Sequence, residues 1–336
     1  MLDGNKTKDI VDEVKRSLLP NHPTVSSRNL ITITGKLSRQ DLQKWLSPPD
    51  PSTNHNTASS TQHEGTATWF FEGGIYSEWK SNPSLLWIHG KRMSLFPRLL
   101  CTPQAPLFIA GSGKSVLWYV MSSPMSFLAQ PTSSISSAVI QDIMALRETG
   151  SASISYFYCD FRDEDKQNRR NLLLSFLFQL SAQSNLYFDA LSKLYSKHDE
   201  GAQKPSDGAL IQCLKQMLSL PTPNPVYLIV DALDECPNNS GLPTSQEQVL
   251  GLVEDLVNLC IPNLHICVTS RPEIDIKTSL EPLTHLRVSL HDQSGQKKDI
   301  IKYISSVVYS DTKMRRWREE DKILVIETLS ERADGM

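Results

Sequence analysis

Two short stretches of this 336-residue chain carry the residue types that phosphate and magnesium chemistry needs. Gly111-Ser112-Gly113-Lys114-Ser115 has the composition of the closing half of a phosphate-binding loop, G-x-x-x-x-G-K-[ST]. In that reading the backbone N–H groups of Gly111–Lys114 face the phosphates. Lys114 neutralises the β and γ phosphates, and the Ser115 hydroxyl ligates Mg²⁺. Val226–Cys236, VYLIVDALDEC, is an apolar run that ends on Asp231 and continues to Asp234 and Glu235. An apolar strand of this kind delivers a carboxylate at its tip. There Asp231 can hold a hydrated magnesium ion, and Asp234 or Glu235 can polarise an attacking water. The plain alternative is a strand ending in a solvated acidic turn, which rarely needs three carboxylates between positions 231 and 235. A third run, His265–Arg271 (HICVTSR), offers Thr269 or Arg271 as a sensor of the γ-phosphate, the arginine offsetting transition-state charge. Its alternative is a surface arginine before Pro272.

Strands and helices in alternation are needed to bring these residues together. Ser84–His89 and Ile154–Phe161 have the character of buried parallel strands, joined by Val226–Asp231, His265–Thr269 and Leu286–Leu290. Helical spacing predicts helices at 66–72, 76–80, 171–183, 189–198, 207–219 and 246–260, and through the tail from Gly295. The pattern predicts an α/β fold: a doubly wound, mostly parallel sheet with its site at the carboxyl ends of the strands. A small helical subdomain, 293–336, follows the sheet domain, 65–292. Ahead of it stand a helical N-terminal segment, 1–46, and a linker, 47–64, rich in Ser, Thr, Asn and Pro. Within the first, residues 6–19 read as an amphipathic helix, and Ser38 with Asp41 resembles a capping box ahead of Leu42 and Trp45.

Composition narrows the function classes. A net charge of −3 argues against a nucleic-acid surface spread over the chain. The run Arg315, Arg316, Arg318 around Trp317 reads most simply as a helix surface or turn. Arg162 and Asp163 read as a solvated turn. No apolar run approaches the ~18–20 residues of a membrane span, and the charged N-terminus does not resemble a signal peptide. The six cysteines show no metal-ligand spacing and read as reduced thiols of an intracellular, cytoplasmic protein.

SLLWIHGK, GSGKS, YFYCDFRDEDKQNRRNLL, VYLIVDALDEC, ICVTSRPEIDI and SLHDQSGQKKDI, in that order, resemble the NACHT class of STAND P-loop NTPases. More narrowly, they resemble fungal NOD-like receptors that carry a nephrocystin-type NACHT region. The resemblance covers roughly residues 50–336. It implies a nucleotide-binding core that uses ATP or GTP with Mg²⁺ as a signalling switch. It also implies a protein partner and nucleotide-dependent self-association. Carried over residue by residue, Lys114 and Ser115 fall on the Walker A positions, Asp231 with Asp234 and Glu235 on Walker B, and Arg271 on the sensor arginine.

The loop departs from that pattern. Phe108 stands where its first glycine belongs, and the glycine that closes the first strand, Gly90, is separated from Gly113 by the 22 positions 91–112 instead of four. By the logarithmic closure rule the longer loop costs only about 1.5 kcal/mol, but the tight curl of N–H groups around one phosphate is lost on the strand side. Pro124 and Pro131 would cut short the helix that the lysine should open. We read 92–110 and 119–135 as insertions of the kind a retained intron leaves; a mature transcript encoding 92–110 would sink that reading. In the alternative, Leu107–Ala110 forms a strand that displaces Leu85–His89. Two further readings compete with the NTPase switch: a nucleotide-independent interaction module of the same fold, and a P-loop kinase, which the acidic cluster disfavours.

Overall fold

The computed structural model describes residues 37–60, 67–90, 131–239, 241, 243–290, 294–312 and 314–334. The helix expected at 6–19 and the tract 92–110 lie outside the described residues. The described residues from Arg39 onward belong to one compact unit.

Five strands make one sheet: β1 (Leu85–His89), β2 (Ser153–Tyr158), β3 (Val226–Asp231), β4 (Leu264–Ser270) and β5 (Leu286–Ser289). All pairings are parallel, in the order β2-β3-β4-β1-β5. β1 therefore sits between β4 and β5, and Leu85–His89 keeps the seat that the alternative strand at 107–110 would have taken. Parallel strands need helical crossovers, and both faces must then be covered. The helices are α1 (Arg39–Leu46), α2 (Ser52–Ser60), α3 (Thr68–Phe71), α4 (Gly74–Ser81), α5 (Pro131–Glu148), α6 (Arg169–Ser181), α7 (Asn185–Ser196), α8 (Asp207–Leu218), α9 (Ser245–Asn258), α10 (Ile274–Leu280), α11 (Ser294–Ser310) and α12 (Glu319–Asp334). On one face Leu86, Ile88, Tyr156, Ile229 and Cys267 pack in one core with Phe70, Trp79, Val139, Ile140 and Ile143 from α3, α4 and α5. The alternate residues Leu85, Trp87, Leu228, Val230, Ile266 and Val268 are buried as well. An α/β sheet covered on both faces is the expected architecture.

The edge of the sheet at β2 shows how sequence becomes packing. An open parallel edge leaves backbone donors and acceptors unpaired. Two glutamines of α6 and the turn after it fill that need. Gln179 accepts from the Tyr156 N–H and donates to its carbonyl, and Gln183 does the same for Ile154. The i, i+4 spacing of the glutamines sets both on one side of the helix end.

Among the described residues α5 runs from Pro131; Pro124 and the helix that Lys114 should open lie outside the described residues. One departure concerns the N-terminal side. Helix α1 is helical as expected and packs on the rest of the fold: Leu42, Trp45 and Leu46 are buried, the Trp45 Nε1 donates to the Gln203 carbonyl at 2.9 Å, and its ring meets Tyr195 edge-on. Within the expected linker, residues 52–60 are helix α2, packed along α5. The cause is a set of polar partners far along the chain, which composition does not show. The tail is helical as expected, with α11 and α12 packed on each other. The basic run falls on the short turn Met314–Arg316 and the loop after it, where Arg318 pairs with Asp321. Among the described residues, no helix is long and apolar enough to cross a membrane.

Candidate functional site

The carboxyl ends of β3, β4 and β1 lie side by side, and the acidic residues gather there. Asp231, the last residue of β3, is 1% exposed. The buried Thr269 hydroxyl of β4 donates to its Oδ1. The same hydroxyl accepts from the Ala232 N–H at 2.9 Å, so one side chain pins both the carboxylate and the backbone that follows. Ala232 adopts φ 53°, ψ 47°, a left-handed conformation that costs a non-glycine residue of the order of 1 kcal/mol. It reverses the chain into the 3₁₀ turn Leu233–Glu235, anchored by the fully buried Leu233. That strained turn presents the next two carboxylates.

Asp234 and Glu235 have different surroundings. Asp234 accepts from the Arg271 backbone N–H at 2.9 Å, and its other oxygen pairs with the Arg271 Nε at 3.0 Å. Its side chain is 6% exposed, against 35% for Arg271. Both oxygens thus bind the tip of β4, which makes Asp234 a brace between strands and a poor match for water activation. Arg271, expected as a sensor, is held in place by that brace. Glu235 accepts from the Phe161 N–H at 3.1 Å, across the gap to the loop after β2. A cleft of about 500 Å³ opens here, lined by Phe161, Glu235, Gln246 and Arg271 among others.

Gly90 ends β1 two strands from Asp231, with its N–H directed to the Ser270 carbonyl at 3.3 Å. A Cβ there would come within 3.2 Å of the Leu290 side chain. Gly111, Ser112, Gly113, Lys114 and Ser115 lie outside the described residues. The structure therefore brings together Asp231, Thr269, Asp234, Glu235 and Arg271, and sets Gly90 on the same edge of the sheet.

Sequence reasoning missed a polar ladder beside this tip. His55 of α2 bonds through Nδ1 to the Tyr158 hydroxyl at 3.0 Å, and Tyr158 is the register partner of Asp231. Ser59 bonds to Ser137 of α5 at 2.9 Å and accepts from Gln141. Asn54 donates to Asp160 at 3.1 Å and accepts from Lys166 at 2.6 Å. Burial, and then the Asp231 charge, raise the Tyr158 phenol well above its ordinary value; burial lowers the His55 imidazole. Both groups stay neutral near neutral pH, so the His55–Tyr158 rung adds a hydrogen bond beside Asp231 without adding charge; the charged members of the ladder, Asp160 and Lys166, sit at its Asn54 end. No sequence signal marks it, because its members are single polar residues on separate elements.

Among the described residues, no group of three or more His, Cys, Asp and Glu side chains could hold a metal by itself. A magnesium ion that arrives with a nucleotide needs only one or two carboxylates beside the phosphates and its own waters. One buried aspartate with a neighbouring hydroxyl fits that demand.

No curated protein matches the sequence. A solved structure, of Drosophila ORC bound to AT-rich DNA and Cdc6, contains a chain that aligns with 94% of this chain and 45% of its own length. Identity there is 9% and the TM-score 0.29, a likeness too low to bear on what this chain does. Residues 108–271, which run from just before GSGKS to Arg271 and contain β2, β3 and β4, match the family model of the nephrocystin 3 N-terminal region.

Proposed function

We propose that this chain is a NACHT-type nucleotide switch of the fungal NOD-like receptor kind. It binds ATP or GTP with Mg²⁺, hydrolyses it slowly, and changes a partner-binding or self-associating state in the cytoplasm. The observation that carries this reading is the buried Asp231 at the tip of β3, with the Thr269 hydroxyl on one oxygen and the acidic turn beyond it. The match over 108–271 supports it, because that span joins GSGKS to the acidic strand and ends on Arg271.

Each residue then has one task. Lys114 and the N–H groups of Gly111–Lys114 hold the phosphates. Asp231 and Ser115 would hold the magnesium ion, which supplies charge neutralisation at the phosphates. Glu235 orients the attacking water and accepts its proton. Asp234 holds Arg271 at the β4 tip, where its guanidinium faces developing charge. Gly90 closes β1 where a side chain would meet Leu290.

Titration of the full chain with fluorescent ATP and GTP tests the reading. Binding is expected, lost in Lys114→Ala and retained in Glu235→Gln, with hydrolysis at least tenfold slower in the latter. A folded chain that binds neither nucleotide would favour the second reading, an interaction module of the same fold without nucleotide. The observation behind that second reading is the 22-residue separation of Gly90 from Gly113. Phosphate transfer to an acceptor other than water would favour a kinase.

A further inference from the structure

We propose that Cys159 and Cys236 are a reversible disulfide-forming pair that locks the acidic turn to the loop after β2. The two thiols come from segments that follow neighbouring strands, β2 and β3. Cys159 follows the last residue of β2, and Cys236 follows Glu235 at the end of the 3₁₀ turn. Their sulfurs are 3.3 Å apart, with the Cys236 thiol donating to Cys159. Both are free and buried. The backbone on each side is already fixed: the Cys159 N–H donates to the Asp231 carbonyl at 3.0 Å and the Cys236 N–H to Leu233 at 3.1 Å. A disulfide of about 2.05 Å therefore asks for roughly 1.2 Å of further approach, within reach of small side-chain rotations. The other described cysteines have no such neighbour thiol: Cys213 donates to the Ala190 carbonyl, Cys267 lies inside the sheet, and Cys260 is exposed.

Cys236 is among the residues lining the cleft although it is buried, and Cys159 is not among them, so we take Cys236 as the thiol that a small oxidant meets first. Hydrogen peroxide fits the space and the chemistry. The Cys236 sulfur attacks one peroxide oxygen, the O–O bond breaks, and the thiol proton leaves with the other oxygen as water, giving a sulfenic acid. The Cys159 sulfur then attacks the Cys236 sulfur. The S–O bond breaks, and the Cys159 proton leaves with the hydroxyl as a second water. Two thiols lose two electrons and one peroxide gains them.

The bond would join the same two loops that Glu235 bridges through the Phe161 N–H. It fixes Glu235, a residue that lines the cleft, against that loop. The effect on hydrolysis rests on the nucleotide reading above; the bond itself does not.

The test is peptide mapping of the full chain. Protein freed of reductant is treated with hydrogen peroxide at about pH 8, near the ordinary thiol range. It is then unfolded, alkylated and digested without reduction. The expected result is a linked pair of peptides holding Cys159 and Cys236, absent in Cys236→Ser and reversed by dithiothreitol. A Tm several degrees higher in the oxidised wild type should accompany it. Both thiols still alkylatable after peroxide, while Cys260 oxidises, would overturn the proposal, as would pairing of either with another cysteine. The wild-type map decides even where a serine variant fails to fold, and it is read without nucleotide.

Discussion

The turn after β3 and helix α2 border the same strand tip and are held by different kinds of bond. Charge and strain hold the turn: a buried carboxylate on a neighbouring arginine, a left-handed alanine, and one threonine hydroxyl shared between Asp231 and Ala232. Helix α2 is held through neutral side chains of its own: His55 bonds to Tyr158 and Ser59 to Ser137, both neutral, while Asn54 lies between the Asp160 carboxylate and the Lys166 ammonium. A buried ion pair that loses one member leaves an uncompensated charge, whereas a neutral bond that is lost costs little beyond itself. The turn is therefore the brittle region and the helix the compliant one.

Asp234→Ala should break the comparison most sharply. It leaves the Arg271 N–H without its acceptor and the guanidinium without its counter-ion. Since Arg271 is about one-third exposed, solvent relieves part of the cost, and the expected loss is about 2–3 kcal/mol in urea unfolding. Stability within about 0.5 kcal/mol of the parent would show that the brace is weak. His55→Ala should cost about 1 kcal/mol globally. Its larger effect should be local, with faster amide exchange confined to Ser52–Ser60 and the loop after β2. Exchange unchanged in α2 would mean that the helix is held without the Tyr158 bond.

Acid gives the smallest and most diagnostic effect. Burial lowers the folded-state imidazoles of both His55 and His265. The unfolded chain then binds the proton more readily than the folded one, so stability is complete above the unfolded value of about 6.5 and declines as pH falls below it. His265→Gln and His55→Gln should each flatten the slope between about pH 7 and 5. A slope unchanged in both would place the acid sensitivity elsewhere. The carboxylates act lower: burial pushes Asp160 up, but hydrogen bonds from Arg162 and Asn54 outweigh it and leave its value lowered. Its contribution persists until pH falls below the ordinary carboxylate range.

How much of this was legible in the sequence differs between the same two regions. VYLIVDALDEC announced a buried strand with carboxylates at its tip, because its apolar run is too short for a helix and must be buried, while the acids that follow must reach a polar edge. The five strands and their parallel class were legible for the same reason. Helix α2, STNHNTASS, has almost no apolar face, and its composition is that of a linker; its order comes from residues more than 70 positions away. The division of labour between Asp234 and Glu235 was equally out of reach, since adjacent carboxylates in a sequence say nothing about which one an arginine on another strand will hold.

By itself the sequence determined the kind of fold, the order of its chemistry-bearing stretches and the placement of Asp231 at a strand end. Those follow from local periodicity and residue type, which act over a few neighbours. Tertiary structure alone decided that Thr269 would meet Asp231, that Arg271 would hold Asp234, and that Cys159 would lie 3.3 Å from Cys236. Each is a contact between separate strands or loops, set by the strand order and register that the whole core selects.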